Sequence, residues 1–438
     1  MSGNGEAMSS SSGDRLLGAL RRLRPDASGV VWYGPVLHVG GYGNATRAYL
    51  KALTRLGLRT QAVNINLDHT PLLDPGAVEL VRALMNVDAG ARPIEIIHGE
   101  PTAYPRLGTP LPAARIGATV FETMSIPADW VAPLNGMDAV WVPTEFHRRT
   151  FSEAGVEPSK IRVVPFAIDT DFFAPRPRPA GGPFRFLYAS IWDFRKGIDL
   201  LARAFVQEFQ RGEDVELVIQ TSIPELHGDD AQHEALARLR DAIGEEVGGT
   251  PRIDIRTRTL SQPELRDLYA TCDLYISTDR NNIWTLPCIE VLSMGRPCAT
   301  TDYARATSFL DDDNPLLIRC SDHLLETDPE LARLRPLYRG QRWADFTLDE
   351  VRRAMRFAYN EREGLSELTE RGRAYVLDHH SVAAVSRPLS RALDTTPRRA
   401  HVRMERVVPT LLGYNTPARS RRRAFARLLG GARRAITR

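Results

Sequence analysis

Cysteine is scarce in this chain, and long apolar segments are absent. The four cysteines among 438 residues (Cys272, Cys288, Cys298 and Cys320) form no C-x-x-C pair, so the sequence indicates neither a zinc site nor a disulfide framework. No apolar run approaches the roughly 18 residues of a membrane-spanning helix, and the N-terminus lacks the apolar region and cleavage site of a secretory signal. These absences predict a cytoplasmic protein without a membrane span.

Charge is distributed unevenly along the chain. The net charge is +3, and the 43% apolar and 25% charged residues are typical of a soluble globular protein, here long enough for two domains. From Arg398 to Arg438 there are 12 arginines and a single acid, so this segment carries +11 and the rest of the chain −8. The body is therefore mildly acidic, and residues 397–438 form a strongly basic tail.

The two ends of the chain share one pattern. Residues 1–28 contain a Ser/Gly-rich stretch that we expect to be disordered and a short basic helix, Arg15–Arg24. In Arg421–Ile436 apolar side chains fall on one helical stripe opposite arginines. Basic amphipathic helices bind anionic headgroups, so one hypothesis is that these ends hold the protein peripherally on the inner face of a membrane. A solvated tail docked on the acidic body is the alternative, and nucleic acid is a less favoured partner.

The first half of the chain alternates strands and helices. Its predicted elements are a strand at Val30–Leu37, a helix at Ala45–Leu56, strands at Gln61–Asn66 and Pro93–His98, and two strand–helix units over Thr119–Ala154. A Gly-rich turn with Gly40 and Gly41 joins the first strand to the first helix, as in a Rossmann-like domain; an ordinary turn is the alternative. His98 ends a strand at the edge where open sheets bind ligands, although a lone histidine is more often structural.

The second half repeats the alternation after a Pro/Gly-rich break, RPRPAGGP, at residues 176–183. The predicted strands are Phe184–Ser190, Val215–Gln220, Arg252–Arg256, Asp273–Ser277 and Cys298–Thr301, and the predicted helices are Ile198–Phe209, Pro263–Ala270 and Pro287–Met294. A capping box at Ser261–Glu264 starts the second of these helices. Lys196 precedes a glycine that opens a helix and can bring a point charge to a diphosphate; a solvated charge pair is the alternative.

The segment from Leu274 to Asp302 holds the strongest site candidate. A strand, a polar turn and a helix N-terminus make an anion site, because free backbone N–H groups and the helix dipole point at one spot. Glu290 lies one turn inside that helix, where a carboxylate cannot bind phosphate but can accept hydrogen bonds from the hydroxyls of a ribose or another sugar. The alternative is an ordinary strand–turn–helix unit with one surface glutamate.

Four residues of this segment resemble the E-x7-E segment of retaining glycosyltransferases with the GT-B fold, of the family-4 type (glycosyl transferases group 1): Trp284, Leu286, Pro287 and Glu290. The resemblance spans roughly residues 30–395. Asn282 stands where that family has its first glutamate, and Ile191 stands where it has an arginine. These two departures bear on the donor-sugar and diphosphate contacts.

The resemblance implies a binding site for a nucleoside diphosphate sugar. The residues it assigns to donor binding are Gly40, Gly41, Arg195, Lys196, Thr259, Thr285, Leu286 and Glu290. Lys196 and Arg195, together with the helix N-terminus at Thr285–Leu286, would neutralise the leaving diphosphate. Glu290 would hold the ribose hydroxyls, and the loop with Thr259 would lie against the base.

The candidate catalytic residues implied in the same way are His98, Lys196, Asn282 and Glu290, with His98 and Asn282 orienting the transferred sugar. No protein nucleophile is evident, which suits the front-face mechanism discussed for this class. No cofactor and no metal are implied. Asp169-x-Asp171 looks like a metal-binding D-x-D pair, but its surroundings resemble the loop that closes the first domain in this family.

The predicted fold class is therefore α/β, with two Rossmann-like, doubly wound domains facing a cleft. The expected division is an N-terminal segment (1–28), an acceptor domain (29–175), a linker (176–183), a nucleotide-sugar domain (184–346), terminal helices that cross back to the first domain (347–396) and the basic tail (397–438).

The predicted function is transfer of a hexose-type sugar, with retention of configuration and without a metal, from a nucleoside diphosphate to a sugar, lipid-linked or small-molecule acceptor. Two alternatives stay open. One is a sugar-nucleotide epimerase or phosphorylase on the same fold, which would need additional acid/base carboxylates or a cofactor lysine. The other is a non-catalytic nucleotide-sugar binding protein, which the departures at Asn282 and Ile191 motivate.

Overall fold

The structure, a computed structural model, describes residues 29–223, 225–244, 251–280, 286–303, 310, 312–362 and 364–400. The predicted N-terminal segment, the arginine-rich tail beyond residue 400, Asn282 and Thr285 lie outside the described residues.

The first half of the chain forms a parallel sheet of six strands covered by helices. Its elements are β1 (Val30–Gly34), α1 (Gly41–Arg55), β2 (Thr60–Asn64), α2 (Pro75–Met85), β3 (Ile94–His98), β4 (Ala114–Ala118), α3 (Ala128–Asn135), β5 (Ala139–Val142), α4 (Glu145–Glu153) and β6 (Ile161–Val163). The strand order is β2-β1-β3-β4-β5-β6. Strands such as β3 are buried along their whole length, as expected when helices cover both faces of a sheet.

One predicted boundary in this half is wrong. The strand–helix units were expected over Thr119–Ala154, but the strand lies earlier, at β4, and no strand occurs between Thr119 and Asp129. The sequence of β4, ARIGA, is short and carries a buried Gly117 whose hypothetical Cβ would lie 2.4 Å from the Tyr104 ring. The strand includes this glycine because the ring packs closely against the backbone there. β propensity alone does not favour a strand with glycine in it.

The second half forms a second parallel sheet of six strands. Its elements are β7 (Phe184–Ile191), α5 (Ile198–Glu208), β8 (Val215–Ser222), α6 (Gly228–Ile243), β9 (Arg252–Arg256), α7 (Gln262–Tyr269), β10 (Leu274–Ser277), α8 (Leu286–Ser293), β11 (Cys298–Thr301) and β12 (Leu317–Ile318). The strand order is β12-β11-β10-β7-β8-β9. The predicted α/β class with two doubly wound sheets is confirmed, and so is the capping box that starts α7.

An antiparallel hairpin follows the second sheet and contacts the first domain. It consists of β13 (Cys320–Glu326), α9 (Pro329–Leu334) and β14 (Arg342–Phe346). The Tyr338 ring stacks on Phe121 with ring centroids 5.4 Å apart. The side-chain oxygen of Gln341 accepts hydrogen bonds from the hydroxyls of Thr123 and Ser125, both at 2.8 Å. The hairpin therefore bridges the two domains.

Three helices end the described chain: α10 (Leu348–Asn360), α11 (Leu365–His380) and α12 (Val382–Asp394). Helix α10 packs on α5 of the second domain, whereas α12 packs on α1 of the first. Between them, the backbone N–H of Ile168 donates to the carbonyl of His380 (2.8 Å), and Ile168 pairs with Ser381. The chain thus returns to the first domain in the last of these described helices.

Candidate functional site

The loop after β1 brings the N-terminus of α1 into the cleft. In this open sheet β1 and β3 are neighbours at the point where the winding direction reverses, which is where such sheets bind ligands. A Cβ on Gly43 would lie 1.9 Å from the carbonyl oxygen of His38, so only glycine fits this tight entry into the helix. Helix α1 has no side-chain cap, and its first N–H groups therefore remain available to a ligand.

The loops after β7 and β10 meet in the same way in the second domain, because these two strands are neighbours at its reversal point. Gly197 adopts a left-handed conformation (φ 60°) so close to the carbonyl of Thr278 that a Cβ would lie 2.3 Å from its oxygen. This approach places the Lys196 Nζ 2.5 Å from Oδ2 of Asp279. The other oxygen of Asp279 accepts a hydrogen bond from the Tyr188 hydroxyl at 2.8 Å.

A cavity of about 440 Å³ lies between these loops, and we call it the cleft cavity. Its first-domain wall is Val39, Gly40, Gly41 and Asn44. Its second-domain wall includes Ser190, Ile191, Lys196, Gln220, Thr221, Thr259, Tyr269, Asp279, Leu286, Pro287 and Glu290. A Cβ on Gly41 would lie 3.2 Å from a methyl carbon of Leu286, so the N-termini of α1 and α8 approach each other across the cavity.

Glu290 projects from α8 into the boundary between the domains and is only 2% exposed. Its carboxylate accepts hydrogen bonds from Nδ2 of Asn44 (3.2 Å) and from the Tyr269 hydroxyl. Burial raises the pKa of Glu290 from an ordinary 4.5 to about 7, although these hydrogen bonds and the charge of Arg47 lower it. This carboxyl group therefore changes its charge near neutral pH.

Asn44 connects Glu290 to both domains. Its Oδ1 accepts hydrogen bonds from Nε2 of Gln262 (2.7 Å), in the second domain, and from Nη2 of Arg47 (2.6 Å), one turn along α1. Gln262 in turn accepts a hydrogen bond from the backbone N–H of Asp74 at 3.0 Å. The hydrogen-bonded chain Glu290–Asn44–Gln262–Asp74 crosses the cleft three times, so the position of Glu290 depends on how the domains are arranged.

A second, larger cavity of about 1340 Å³ continues from the cleft cavity. Both are lined by Val39, Gln220, Ser222, Thr259 and Leu260. Gln220 donates from Nε2 to the carbonyl of Arg258 (2.9 Å), whereas its Oε1 and the Thr221 hydroxyl are buried without a hydrogen-bond partner. Unpaired polar atoms are costly inside a protein, and these two lie on residues that line the cleft cavity.

His98 does not line the cleft cavity. It is 1% exposed, its Nδ1 lies 2.7 Å from the Thr46 hydroxyl, and the rings of Trp32, Tyr42 and Phe166 surround it. Burial lowers the pKa of His98 to about 3, so the imidazole is neutral at physiological pH. In the structure this side chain contacts α1 through the Thr46 hydroxyl. Its predicted contact with a sugar stays a prediction.

Arg195 also points away from the cleft cavity. Its guanidinium lies over the ring of Tyr338 (5.6 Å to the centroid) and within 3.6 Å of a carboxylate oxygen of Glu122. It therefore joins the hairpin to the first domain. Of the other predicted site residues, Gly40, Gly41, Lys196, Thr259, Leu286 and Glu290 line the cleft cavity, whereas Asn282 and Thr285 lie outside the described residues.

The D-x-D pair serves a different local purpose. Asp169 forms an ion pair with Lys51 of α1, and its Oδ1 accepts a hydrogen bond from the backbone N–H of Phe172 (3.3 Å). In the part of the chain that the structure describes, no group of three or more His, Cys, Asp or Glu side chains is arranged to hold a metal ion. Nor does any helix in that part have the length and apolar character to cross a membrane.

The site also contains residues that were not anticipated from the sequence, among them Asn44, Tyr269 and Asp279. Asn44 follows the glycines of the first turn, which is the one local signal that could have suggested it. The other two depend on long-range arrangement, since Tyr269 ends α7 and Asp279 follows β10. Their place in the site requires the strand order of the second sheet.

Residues 183–327 match the family model described as Glycosyl transferases group 1. The match runs from the beginning of β7 to the end of β13. This part of the chain is therefore similar to a glycosyl transferases group 1 domain, and the predicted resemblance is confirmed. No curated protein matches the sequence.

Solved structures resemble the chain over both domains. Sucrose-phosphate synthase from Thermosynechococcus elongatus has a TM-score of 0.58 at 15% identity, covering 84% of this chain and 98% of that chain. Anabaena Alr3699/HepE, solved in complex with UDP and glucose, has a TM-score of 0.55 at 12% identity, with coverages of 84% and 100%. An E. coli structure described as trehalose-6-phosphate bound with UDP-2-fluoro glucose has a TM-score of 0.56 at 13% identity, with coverages of 85% and 100%. These likenesses confirm the GT-B fold.

Proposed function

We propose that the protein transfers a hexose-type sugar from a nucleoside diphosphate sugar to an acceptor, with retention of configuration and without a metal. The observation that carries the proposal is the cleft cavity, where Lys196 and the N-termini of α1 and α8 converge on one space between the domains. The match to a glycosyl transferases group 1 domain supports it. Related folds solved with UDP or UDP-sugars support the class of donor.

In this proposal the leaving diphosphate binds between Lys196 and the two helix N-termini. Negative charge builds up on the diphosphate as the glycosidic bond breaks. Fixed N–H dipoles and an ammonium group aimed at that charge stabilise the transition state without reorganisation. In this proposal the ammonium group and the two helix N-termini supply the positive charge that a metal ion would otherwise bring to the diphosphate.

The remaining walls suit the nucleoside. Glu290 in its ionised form accepts hydrogen bonds from the ribose hydroxyls in place of those from Asn44 and Tyr269. Thr259 and Gln220 lie where the cleft cavity opens into the larger cavity, and we assign this end to the base. The unpaired Oε1 of Gln220 is an acceptor for a base N–H. The acceptor would approach from the first domain.

Two observations favour the non-catalytic alternative enough to test it. Lys196 is neutralised by Asp279, and Asn282 is an amide where related enzymes carry a carboxylate. Asparagine keeps an acceptor and gains donors, so we expect the native protein to transfer sugar, or at least to hydrolyse a donor slowly. Complete inactivity towards a broad donor and acceptor panel, with donor binding intact, would favour a binding protein.

The experiment is a thermal-shift screen of UDP-, GDP-, ADP- and dTDP-hexoses, followed by assays of free nucleoside diphosphate release. A true donor stabilises the protein more as its concentration exceeds the dissociation constant. For the donor that binds, the anomeric configuration of the product is read by NMR, and turnover is compared with and without a chelator. An inverted product or loss of turnover in chelator would contradict retention or metal independence, respectively.

A further inference from the structure

Asp279 is a carboxylate in a place that should repel the proposed ligand. Its side chain lines the cleft cavity beside Lys196, with Nζ and Oδ2 2.5 Å apart, and the residue is 6% exposed. Among the described residues of this wall Lys196 is the one cation, whereas Asp279 and Glu290 are both carboxylates. A site built only to hold a diphosphate would not neutralise its lysine in this way.

The position of Asp279 is fixed by the fold. Tyr188 in β7 donates a hydrogen bond to Oδ1 of Asp279 (2.8 Å) and also contacts the carbonyl of Lys196 (3.1 Å). The backbone carbonyl of Asp279 accepts a hydrogen bond from the Thr301 hydroxyl at 2.8 Å. Because Lys196 and Tyr188 hold the carboxylate and Thr301 holds the backbone, Asp279 has little freedom to turn away when a ligand enters.

A carboxylate can accept about four hydrogen bonds, two on each oxygen. Lys196 and Tyr188 use one position on each oxygen of Asp279, so two acceptor positions remain for a ligand. These two positions lie next to the diphosphate site, because Asp279 is ion-paired with Lys196, which would hold the diphosphate. In a nucleoside diphosphate sugar, the hydroxyls next to the diphosphate belong to the ribose on one side and to the transferred sugar on the other, and Glu290 is assigned to the ribose.

We infer that Asp279 positions the transferred sugar by accepting hydrogen bonds from its hydroxyls, and so discriminates the nucleotide sugar from the sugar-free nucleoside diphosphate. This inference rests on the proposed function. It also accounts for Asn282, three residues later in the sequence, where related enzymes have a glutamate: Asp279 supplies the charged acceptor for the sugar instead. Repulsion between Asp279 and the phosphates weakens binding of the bare product, which favours its release.

The test compares two affinities in the same protein. Calorimetry measures binding of the nucleotide sugar that the wild-type protein prefers, and of the matching sugar-free nucleoside diphosphate, to wild type and Asp279→Asn. Hydrogen bonds to a charged acceptor are stronger than neutral ones, so the variant should bind the nucleotide sugar about 10-fold more weakly. It should bind the nucleoside diphosphate about 3-fold more tightly, because an anion beside the phosphates is removed.

Opposite changes are the signature of sugar recognition. If Asp279 only holds Lys196 in place, Asp279→Asn will change both affinities in the same direction and by a similar factor, and the inference is wrong. If the wild-type protein binds no nucleotide sugar, the proposed function itself fails, and the assignment of Asp279 fails with it. Wild-type donor binding without a change of ratio in the variant refutes the inference alone.

Two further variants control for folding. Glu216→Gln removes a buried carboxylate of the second domain that is paired with Arg185 at 2.7 Å and does not line the cleft cavity, and it should leave the ratio of affinities unchanged. If Asp279→Asn does not fold, Lys196→Gln is compared with Lys196→Gln/Asp279→Asn, which leaves no unpaired charge. Discrimination should survive in the single variant and be lost in the double variant; retained discrimination in the double variant overturns the inference.

Discussion

Glu290→Gln should stabilise the protein above neutral pH, although it removes a group of the binding site. The pKa of Glu290 is about 7 in the folded protein against an ordinary 4.5, because the carboxylate is buried at the domain boundary. At about 1.4 kcal/mol per pH unit, ionising this group in the folded state costs about 3 kcal/mol. Glutamine is not charged and does not incur this cost.

The sign follows from proton linkage. A carboxyl group whose pKa is raised by folding contributes its full stability below pH 4.5 and loses it as the pH rises to about 7 and beyond. Glutamine still accepts a hydrogen bond from Asn44 but loses acceptor capacity towards Tyr269, at a cost of about 1 kcal/mol. We therefore expect the variant to be about 2 kcal/mol more stable than wild type at pH 8 and slightly less stable at pH 5.

The assay is urea-induced unfolding followed by tryptophan fluorescence at pH 5, 6, 7 and 8. Glu95→Gln is the matched control, because it removes a buried carboxylate that is ion-paired with Arg115 at 3.1 Å and should destabilise the protein. A difference between Glu290→Gln and wild type that is the same at pH 5 and pH 8 would refute the reasoning. The same substitution should weaken donor binding although it stabilises the protein above neutral pH, since only the ionised carboxylate is a full acceptor for the ribose hydroxyls.

Three other outcomes are expected. Lys196→Ala should lower kcat/KM by roughly 30-fold or more, because loss of a charged partner of a buried anion costs about 2–5 kcal/mol; Lys160→Ala, outside the cleft cavity lining, should not. Gly43→Ala should lower the free energy of unfolding by about 1–3 kcal/mol through overpacking, whereas Gly212→Ala, with no atom within 4 Å of its Cβ, should be close to neutral in a urea titration. Full-length protein should co-sediment with anionic liposomes in a salt-sensitive manner, and protein ending at Pro397 should not; equal, salt-insensitive partitioning of both would exclude the membrane hypothesis.

Elements defined by local signals were predictable from the sequence. Predominantly apolar strands such as β10, proline in the first turn of α8 and the capping box of α7 each specify a short stretch of backbone without reference to distant residues. Predicted and observed bounds for these elements agree within one or two residues. The α/β class followed because such strands alternate regularly with helices.

The hairpin after the second sheet was not predictable in the same way. Most side chains of β13 are exposed, so its sequence shows neither an apolar run nor an alternating pattern. Its stability depends on contacts with the first domain, such as Tyr338 against Phe121. The position of Arg195 outside the cleft cavity lining has the same origin, because the acidic and aromatic partners that hold it lie about 70 and 140 residues away in the chain.

Asp279 illustrates the same limit within the candidate site. Its sequence neighbourhood, STDRNN, reads as a polar turn. Only the adjacency of β7 and β10 brings this turn against Lys196, 83 residues earlier. Residues that bind through one loop can be found by motif, whereas those that meet at a reversal of strand order require the sheet.

The chain passes between the two domains twice, once near residues 176–183 and once at His380 and Ser381. A single connection would allow the two domains to rotate relative to each other about any axis. Two connections restrict the domains to a hinge motion about the line that joins them. Opening about that axis would separate contacts that cross the cleft, such as the hydrogen bond between Asn44 and Glu290. A donor that replaces this contact would therefore act on the arrangement of the two domains as well.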